Sequence, residues 1–265
     1  MKINIPFESL SYPGKDGTGA IVVSNEDFAT FNSDLLSLGN LNTGGKRVEA
    51  ISAVFDLDGF TNFCNQMEPH LVVPRFLKEF LSWILEKIAQ EHLIVKIENA
   101  FEGKTPLYSR LPIFCKFLGD GLLMIWDTDG MSETEMGNVV CILKNVTQSY
   151  VKDFLPIINK KFVNVPEKLR CGIARGSIVQ LGDGNDYVGP SINIASRLQK
   201  VPPNFTFAFS ARGFDKDFFA ENVFKKYQMI KIEVRGIKGN EELVYVLKSE
   251  INSLSPEMQA QIQIL

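Results

Sequence analysis

The chain has 265 residues, 45% of them hydrophobic and 22% charged, with 20 Gly and 12 Pro. These ordinary globular values exclude collagen-like, low-complexity and disordered chains, and the length fits one to two domains. A formal charge of −3, from 28 Lys plus Arg against 31 Asp plus Glu, leaves no basic excess for nucleic acid and no polybasic run for an anionic membrane.

Apolar runs such as Gly121 to Trp126 fall far short of the roughly 18 residues of a spanning helix. The opening MKINIPFESLSYPGKDG has no apolar h-region ahead of a small-residue cleavage site. Cys64, Cys115, Cys141 and Cys171 form no CxxC pair, and His70 and His92 are the only histidines. A disulfide frame, a zinc site and a His-based triad therefore have too little to draw on, and the chain reads as cytoplasmic with reduced thiols.

Residues 1–46 carry SYPGKDGTG, SLGNLNTGG and one modest helical stretch, about Glu26 to Leu38. They read as an extension that wraps the core or contributes to an interface. The regular domain is read as 47–265. There VEAISAVFDL is a buried strand ended by Asp58-Gly59. Val72, Val73, Phe76, Leu77, Phe80, Leu81, Ile84, Leu85 and Ile88 recur at helical spacing, with Pro74 placed in the first turn. Leu93 to Glu98 reads as a short strand, and IFCKF and LLMIW as a hairpin joined at Leu118-Gly119-Asp120-Gly121. Ser132 and Glu135 form a capping box that opens a helix through Val139, Leu143, Val146, Tyr150 and Phe154. LRCGIARGSIVQLG is a long strand or hairpin arm and SINIASRLQ a short helix. FTFAFS, YQMIKIEV and ELVYVL close the chain as strands, with a Phe-rich helix near Asp215 to Phe224 between the first two. Strands alternate with helices but hairpins also occur, which predicts an α+β fold with one mixed sheet.

Four segments carry candidate chemistry, and each also has a plain structural reading. In FDLDGFT, Asp56 lies inside an apolar strand, where a carboxylate is costly unless paired or metal-bound, although it also reads as a turn aspartate. Asp120 stands at the tip of the KFLGDGLLMIW hairpin, where Asp-Gly serves equally as a turn. Brought together, two such aspartates hold the divalent ions of a phosphoryl transfer. Asn193 and Arg197 in DYVGPSINIASRLQ share a helix face at i and i+4, suited to a ribose and a phosphate or simply to solvent. Arg235 and Lys238 of RGIKG suit phosphate and solvent alike. A P-loop, a dinucleotide fingerprint and an EF-hand loop are excluded by spacing.

The order of these four segments resembles the catalytic domain of class III nucleotidyl cyclases, the adenylyl and guanylyl cyclase superfamily, from about Val48 to Leu247. The F-x-D-x-x-G-F-T segment is matched by Asp56-Leu57-Asp58-Gly59-Phe60-Thr61, the second metal aspartate by Gly119-Asp120-Gly121, and the arm strand by Cys171 to Gly176. The V-N-x-A-[AS]-R-L helix is matched by Ile192 to Leu198, and the late K-G turn by Arg235-Gly236, where Arg replaces the usual Lys.

The resemblance implies a ferredoxin-like α+β core acting as a head-to-tail homodimer with shared sites. Asp56 and Asp120, with the Leu57 carbonyl, would bind two Mg²⁺ or Mn²⁺ ions, and the amides of Gly59, Phe60 and Thr61 would hold the β- and γ-phosphates. The partner would bring Lys116 and Asp186 to the base, Asn193 to the ribose, Arg197 to the α-phosphate and Arg235 to the triphosphate. The phrases KFLGDGLLMIWD, LRCGIARG, DYVGPSINIASRLQK and FAFSARGF are most similar to the pyrimidine cyclases of the bacterial Pycsar anti-phage system. That likeness implies cyclic UMP or cyclic CMP as product, UTP slightly ahead of CTP, and a separate downstream effector that reads the product. Bulky Phe55 and Phe117 would shorten the base pocket. ATP is the alternative substrate, and a catalytically dead nucleotide-sensing or dimerisation module the alternative class.

Overall fold

The computed structural model describes residues 8–11, 19–29, 38, 44–94, 104–182, 184–201, 205–233, 241–260 and 262–265. The chain divides into two compact units, Met1–Arg47 with Val179–Val188, and Val48–Ile178 with Gly189–Leu265. In the first unit β1 (Glu8–Ser11) and β2 (Gly19–Val22) pair antiparallel, and α1 (Asn25–Ala29) follows. The helix expected over Glu26–Leu38 is described only as far as Ala29, and residues 30–37 lie outside the described residues.

Strand β3 (Lys46–Asp58) is buried without a break from Ala50 to Leu57. Its two faces divide by the strand period: Ile51, Ala53, Phe55 and Leu57 enter the main apolar core, while Ser52 and Asp56 point the other way. Next come α2 (Phe60–Cys64) and α3 (Pro69–His92), whose buried stripe Phe76, Phe80, Ile84 and Ile88 repeats at four-residue spacing. Pro69, not Pro74, occupies the first turn; Pro74 lies inside α3, one turn too late for the placement expected from the sequence. Phe76 has Phe63 at 4.6 Å between ring centroids, and Phe60, Phe80, Phe154 and Phe162 at 6.0–6.3 Å. Each such ring contributes about 1.5–3 kcal/mol by leaving water, and together they fix the short helix α2 that begins at Gly59.

The hairpin expected at Leu118–Gly121 is present. Strands β4 (Phe114–Phe117) and β5 (Gly121–Asp127) pair antiparallel, and the Leu118 amide donates to the Gly121 carbonyl at 2.9 Å. Of the expected Leu93–Glu98 strand, Leu93 forms a bridge with Leu107, and residues 95–103 lie outside the described residues. Helix α4 (Glu133–Ser149) starts at the Ser132/Glu135 capping box. It widens into a π-turn at Tyr150–Phe154 before α5 (Leu155–Ile158). Tyr150 and Phe154 are both buried in the core, and the Tyr150 hydroxyl donates to the Pro166 carbonyl at 2.7 Å.

Strand β6 (Lys168–Leu181) runs to the short β7 (Asp186–Val188), which pairs back on it with Leu181 opposite Asp186. Helix α6 (Pro190–Leu198) and β8 (Phe207–Ser210) follow. The Phe-rich helix expected near Asp215–Phe224 is broken in two: a 3-10 turn at Lys216–Phe218, then α7 (Glu221–Phe224). Phe219 is extended between them, and Phe218 and Phe219 are both buried. Strands β9 (Tyr227–Glu233) and β10 (Glu241–Leu247) match the sequence reading, and α8 (Lys248–Asn252), α9 (Pro256–Ala260) and β11 (Gln263–Ile264) add a closing segment it did not contain.

The strand order is β11-β9-β10-β8-β6-β3-β5-β4. The β6–β8 pair is parallel, while β3–β5, β4–β5, β8–β10, β9–β10 and β9–β11 are antiparallel. The sheet is mixed and the fold α+β, as expected. Among the described residues no helix is long and apolar enough to cross a membrane.

Helix α6 reaches the sheet through Gly172 of β6. A Cβ there would lie 2.2 Å from the Ala195 carbonyl oxygen and 2.4 Å from the Gln199 nitrogen, both backbone atoms. Gly172→Ala is therefore expected to cost about 3 kcal/mol and lower the melting temperature by roughly 6–12 °C. Thermal unfolding by circular dichroism checks it; an unchanged midpoint would mean that α6 does not pack this closely.

Candidate active site

The site grows from the ends of β3 and β5. Asp56 pairs in register with Gly121, and a Cβ on Gly121 would stand 1.8 Å from the Phe55 carbonyl oxygen. Only glycine lets the strands close there, and that closure sets the preceding Asp120 beside Asp56. The Leu57 amide donates to the Asp120 carbonyl at 3.0 Å, which fixes the two chain segments together. Asp56 is only 6% exposed, and Asp120 is half-buried. Burial pushes the Asp56 carboxyl above its ordinary range. The Lys200 ammonium opposes the shift, the Asp120 carboxylate adds to it, and Arg170 and Asp58 act in smaller measure in opposite senses.

Gly59 turns the chain through left-handed backbone, with φ of 88°, into α2, where the Phe63 amide closes the first helical bond on the Gly59 carbonyl at 3.1 Å. The amides of the first turn have no acceptor within the helix, and Thr61 at that turn is exposed. On α6, Ser191 is tied to Ser52 of β3 by a buried hydroxyl–hydroxyl bond of 3.0 Å. This bond and the Gly172 contact hold the helix so that Asn193 and Arg197 face solvent on one side.

Two further cations lie here that the sequence reading did not single out. An Arg170 terminal nitrogen is 2.6 Å from Asp58 Oδ1, and Lys200 Nζ is 3.9 Å from Asp56 Oδ1. Arg170 was detectable in principle: an arginine among the apolar residues of LRCGI demands a partner. Lys200 carried no such mark, because a lysine after a helix is ordinarily a solvated end.

Lys116 stands exposed on β4, opposite Leu123. Asp186 belongs to the other unit, where its Oδ1 accepts from the Tyr187 amide at 2.9 Å. Arg235 and Lys238 lie outside the described residues. Phe55 does not shorten a base pocket: it is 1% exposed and packs in the main core, since strand alternation turns it away from Asp56. Phe117 is 43% exposed.

No protein-family model and no curated protein sequence matches the chain. Solved structures do. The adenylyl cyclase CyaB from P. aeruginosa aligns with a TM-score of 0.56 and 15% identity, covering 77% of this chain and 96% of that one. The guanylyl cyclase Cya2 aligns at 0.54 and 14%, covering 77% and 94%. The catalytic core of a rhodopsin-guanylyl cyclase with converted specificity, in complex with ATPαS, aligns at 0.50 and 16%, covering 77% and 98%. The fold is that of the class III cyclase catalytic domain. Adenylyl and guanylyl cyclases share it almost equally well, so the cyclase fold by itself carries no preference for a base.

In this cyclase fold the donor set at Asp56 and Asp120 fits a hard divalent cation. Two carboxylates and the Leu57 carbonyl offer only oxygen, the ligand type of Mg²⁺ and Mn²⁺. Among the described residues no group of three His, Cys, Asp or Glu side chains forms a ready-made cage. Water and substrate phosphate oxygens would complete the shell, the usual arrangement for Mg²⁺ in phosphoryl transfer. The raised Asp56 carboxyl agrees with this, since a bound cation would offset the charge that burial disfavours.

Proposed function

We propose that the chain is a nucleotidyl cyclase converting a nucleoside triphosphate to its 3′,5′-cyclic monophosphate and pyrophosphate, with residues 47–265 as the catalytic domain and 1–46 as an extension. The observation that carries this reading is the juxtaposition of Asp56 and Asp120 at the strand ends, in a chain whose α6 presents Asn193 and Arg197 to solvent. In the reaction the 3′-hydroxyl oxygen bonds to the α-phosphorus, the bond to the bridging oxygen breaks, and the hydroxyl proton is lost as pyrophosphate leaves. Two divalent ions, Mg²⁺ or Mn²⁺, held by Asp56, Asp120 and the Leu57 carbonyl, supply positive charge to the reacting oxygens.

The remaining roles fall to the chain's own groups. The amides of Gly59, Phe60 and Thr61 cradle the β- and γ-phosphates at the start of α2. Arg197 places a fixed cation where charge grows on the α-phosphoryl oxygens, Asn193 orients the ribose, and Arg235 meets the triphosphate. The exposure of Asn193 and Arg197 supports a homodimer in which each copy completes its partner's site.

Lys116 and Asp186 are the proposed base contacts, one donor and one acceptor. Adenine and cytosine each satisfy the pair with an amino group beside a ring nitrogen, and uracil with a ring N–H beside a carbonyl. The likeness of this chain's motif wording to Pycsar cyclases favours a pyrimidine, UTP slightly before CTP, with the product acting as an anti-phage signal in the cytoplasm through a separate effector. ATP is the second reading, because adenine satisfies the same donor and acceptor pair.

Incubating the protein with Mn²⁺ and equal amounts of the four triphosphates, followed by mass spectrometry, tests both levels. Cyclic UMP or cyclic CMP is expected to dominate. Dominant cyclic AMP overturns the pyrimidine assignment alone, and no cyclic product or pyrophosphate from any substrate overturns catalysis in favour of a nucleotide-sensing module.

A further inference from the structure

Lys200 has no role in the reading above. It follows α6 in a turn closed by its own amide donating to the Arg197 carbonyl at 3.0 Å. Its neighbours Gln199 and Val201 are 6% and 4% exposed, so the backbone at this point is anchored on both sides. The side chain is the free part: it is 61% exposed, and its Nζ stands 3.9 Å from Asp56 Oδ1, whose own side chain is 9% exposed. At that separation the ammonium is held by charge and not by a short hydrogen bond. A loosely held cation on an anchored tether, beside a buried carboxylate, has the geometry of a counter-ion that can be displaced.

We propose that Lys200 changes partner during the catalytic cycle, neutralising Asp56 before the divalent ion binds and gripping the substrate triphosphate of the same site afterwards. The inference rests on the proposed metal role of Asp56 and deepens it. A divalent ion on Asp56 and an ammonium 3.9 Å from the same carboxylate oxygen repel each other, so loading must push Lys200 aside. The anchored turn prevents it from going far, and the anionic group that then arrives at the Asp56 carboxylate is the polyphosphate. Arg197 is assigned to the partner's site, whereas Lys200 reaches the site of its own chain, so the end of α6 serves both sites of a dimer.

The two roles have opposite signs, which makes them separable from a structural effect. Lys200→Gln in the full chain is expected to bind Mn²⁺ alone about threefold to tenfold more tightly, by electron paramagnetic resonance titration, because a competing cation is gone. The same variant, at saturating Mn²⁺, is expected to bind inorganic tripolyphosphate about tenfold more weakly by calorimetry, with Lys200→Arg restoring that affinity. Unchanged values, or both affinities moving in the same direction, would overturn the inference. Asp56→Asn, measured in parallel, separates the two readings. If it binds Mn²⁺ as the wild type does, the metal assignment itself fails; if it loses Mn²⁺ while Lys200→Gln is unaltered, only the partner exchange fails.

Discussion

Asp56→Asn is expected to abolish cyclic nucleotide formation, a loss of at least about 10³-fold, while raising the melting temperature of the metal-free protein by about 3 °C. The activity loss follows from the proposed metal role of Asp56, since bound divalent ions contribute several kcal/mol to such a transition state. The stability gain follows from burial. Asp56 is 6% exposed at the end of an apolar strand, and its carboxyl is pushed above the usual 3.8 chiefly by desolvation. An acid with a folded-state pKa above its unfolded value releases its proton first in the unfolded chain. It therefore costs stability as pH rises from 3.8 through the raised value, and the cost is complete at neutral pH.

Asparagine keeps the shape without the charge, and the ion-pair partner it leaves, Lys200, is exposed and can be solvated. The difference in midpoint between variant and wild type, followed by calorimetry with a chelator present, should be largest at neutral pH and shrink as pH falls towards 3.8. Adding Mn²⁺ should reverse the order by stabilising only the wild type. An active variant, or one that is less stable at neutral pH and no better at acid pH, would contradict the account of Asp56.

Mixing two inactive variants is expected to restore activity. Arg197→Ala removes the cation proposed for the α-phosphate and should slow turnover about 10²–10³-fold by itself. In a head-to-tail homodimer, Asp56 of one copy and Arg197 of the other belong to one site. A mixed dimer of Asp56→Asn with Arg197→Ala then carries one intact site and one doubly damaged site. Random pairing makes half of the dimers mixed, each with half of the sites working, so the ceiling is about a quarter of wild-type activity. The measurement is initial rate after subunit exchange, with exchange followed separately by differently tagged copies. No recovery despite complete exchange would place Asp56 and Arg197 in the same chain's site, and the geometry of α6 would then need another explanation.

The sequence by itself determined the elements whose cause is local. β3 is legible because a strand covered on both faces reads as an unbroken apolar run, and an aspartate inside such a run is conspicuous for the same reason. The hairpin at Leu118–Gly121 and the start of α4 are legible because Asp-Gly and Ser-x-x-Glu satisfy backbone groups only a few residues away. The order of the four motifs was enough to imply a cyclase-like α+β fold, which the solved cyclase structures bear out. Tertiary structure decided what depends on residues distant in sequence. Gly172 is required by the backbone of α6, and Gly121 by the carbonyl of Phe55. Phe55 is a core residue because of which face of β3 the helices cover, and a single residue of register reverses that choice. The π-turn at Tyr150–Phe154 and the break at Phe219 interrupt stretches whose apolar spacing reads in the sequence as continuous helix. The pairing of Lys200 with Asp56 joins two segments about 140 residues apart. Its strength depends on distance and burial, quantities that exist only once the chain has folded.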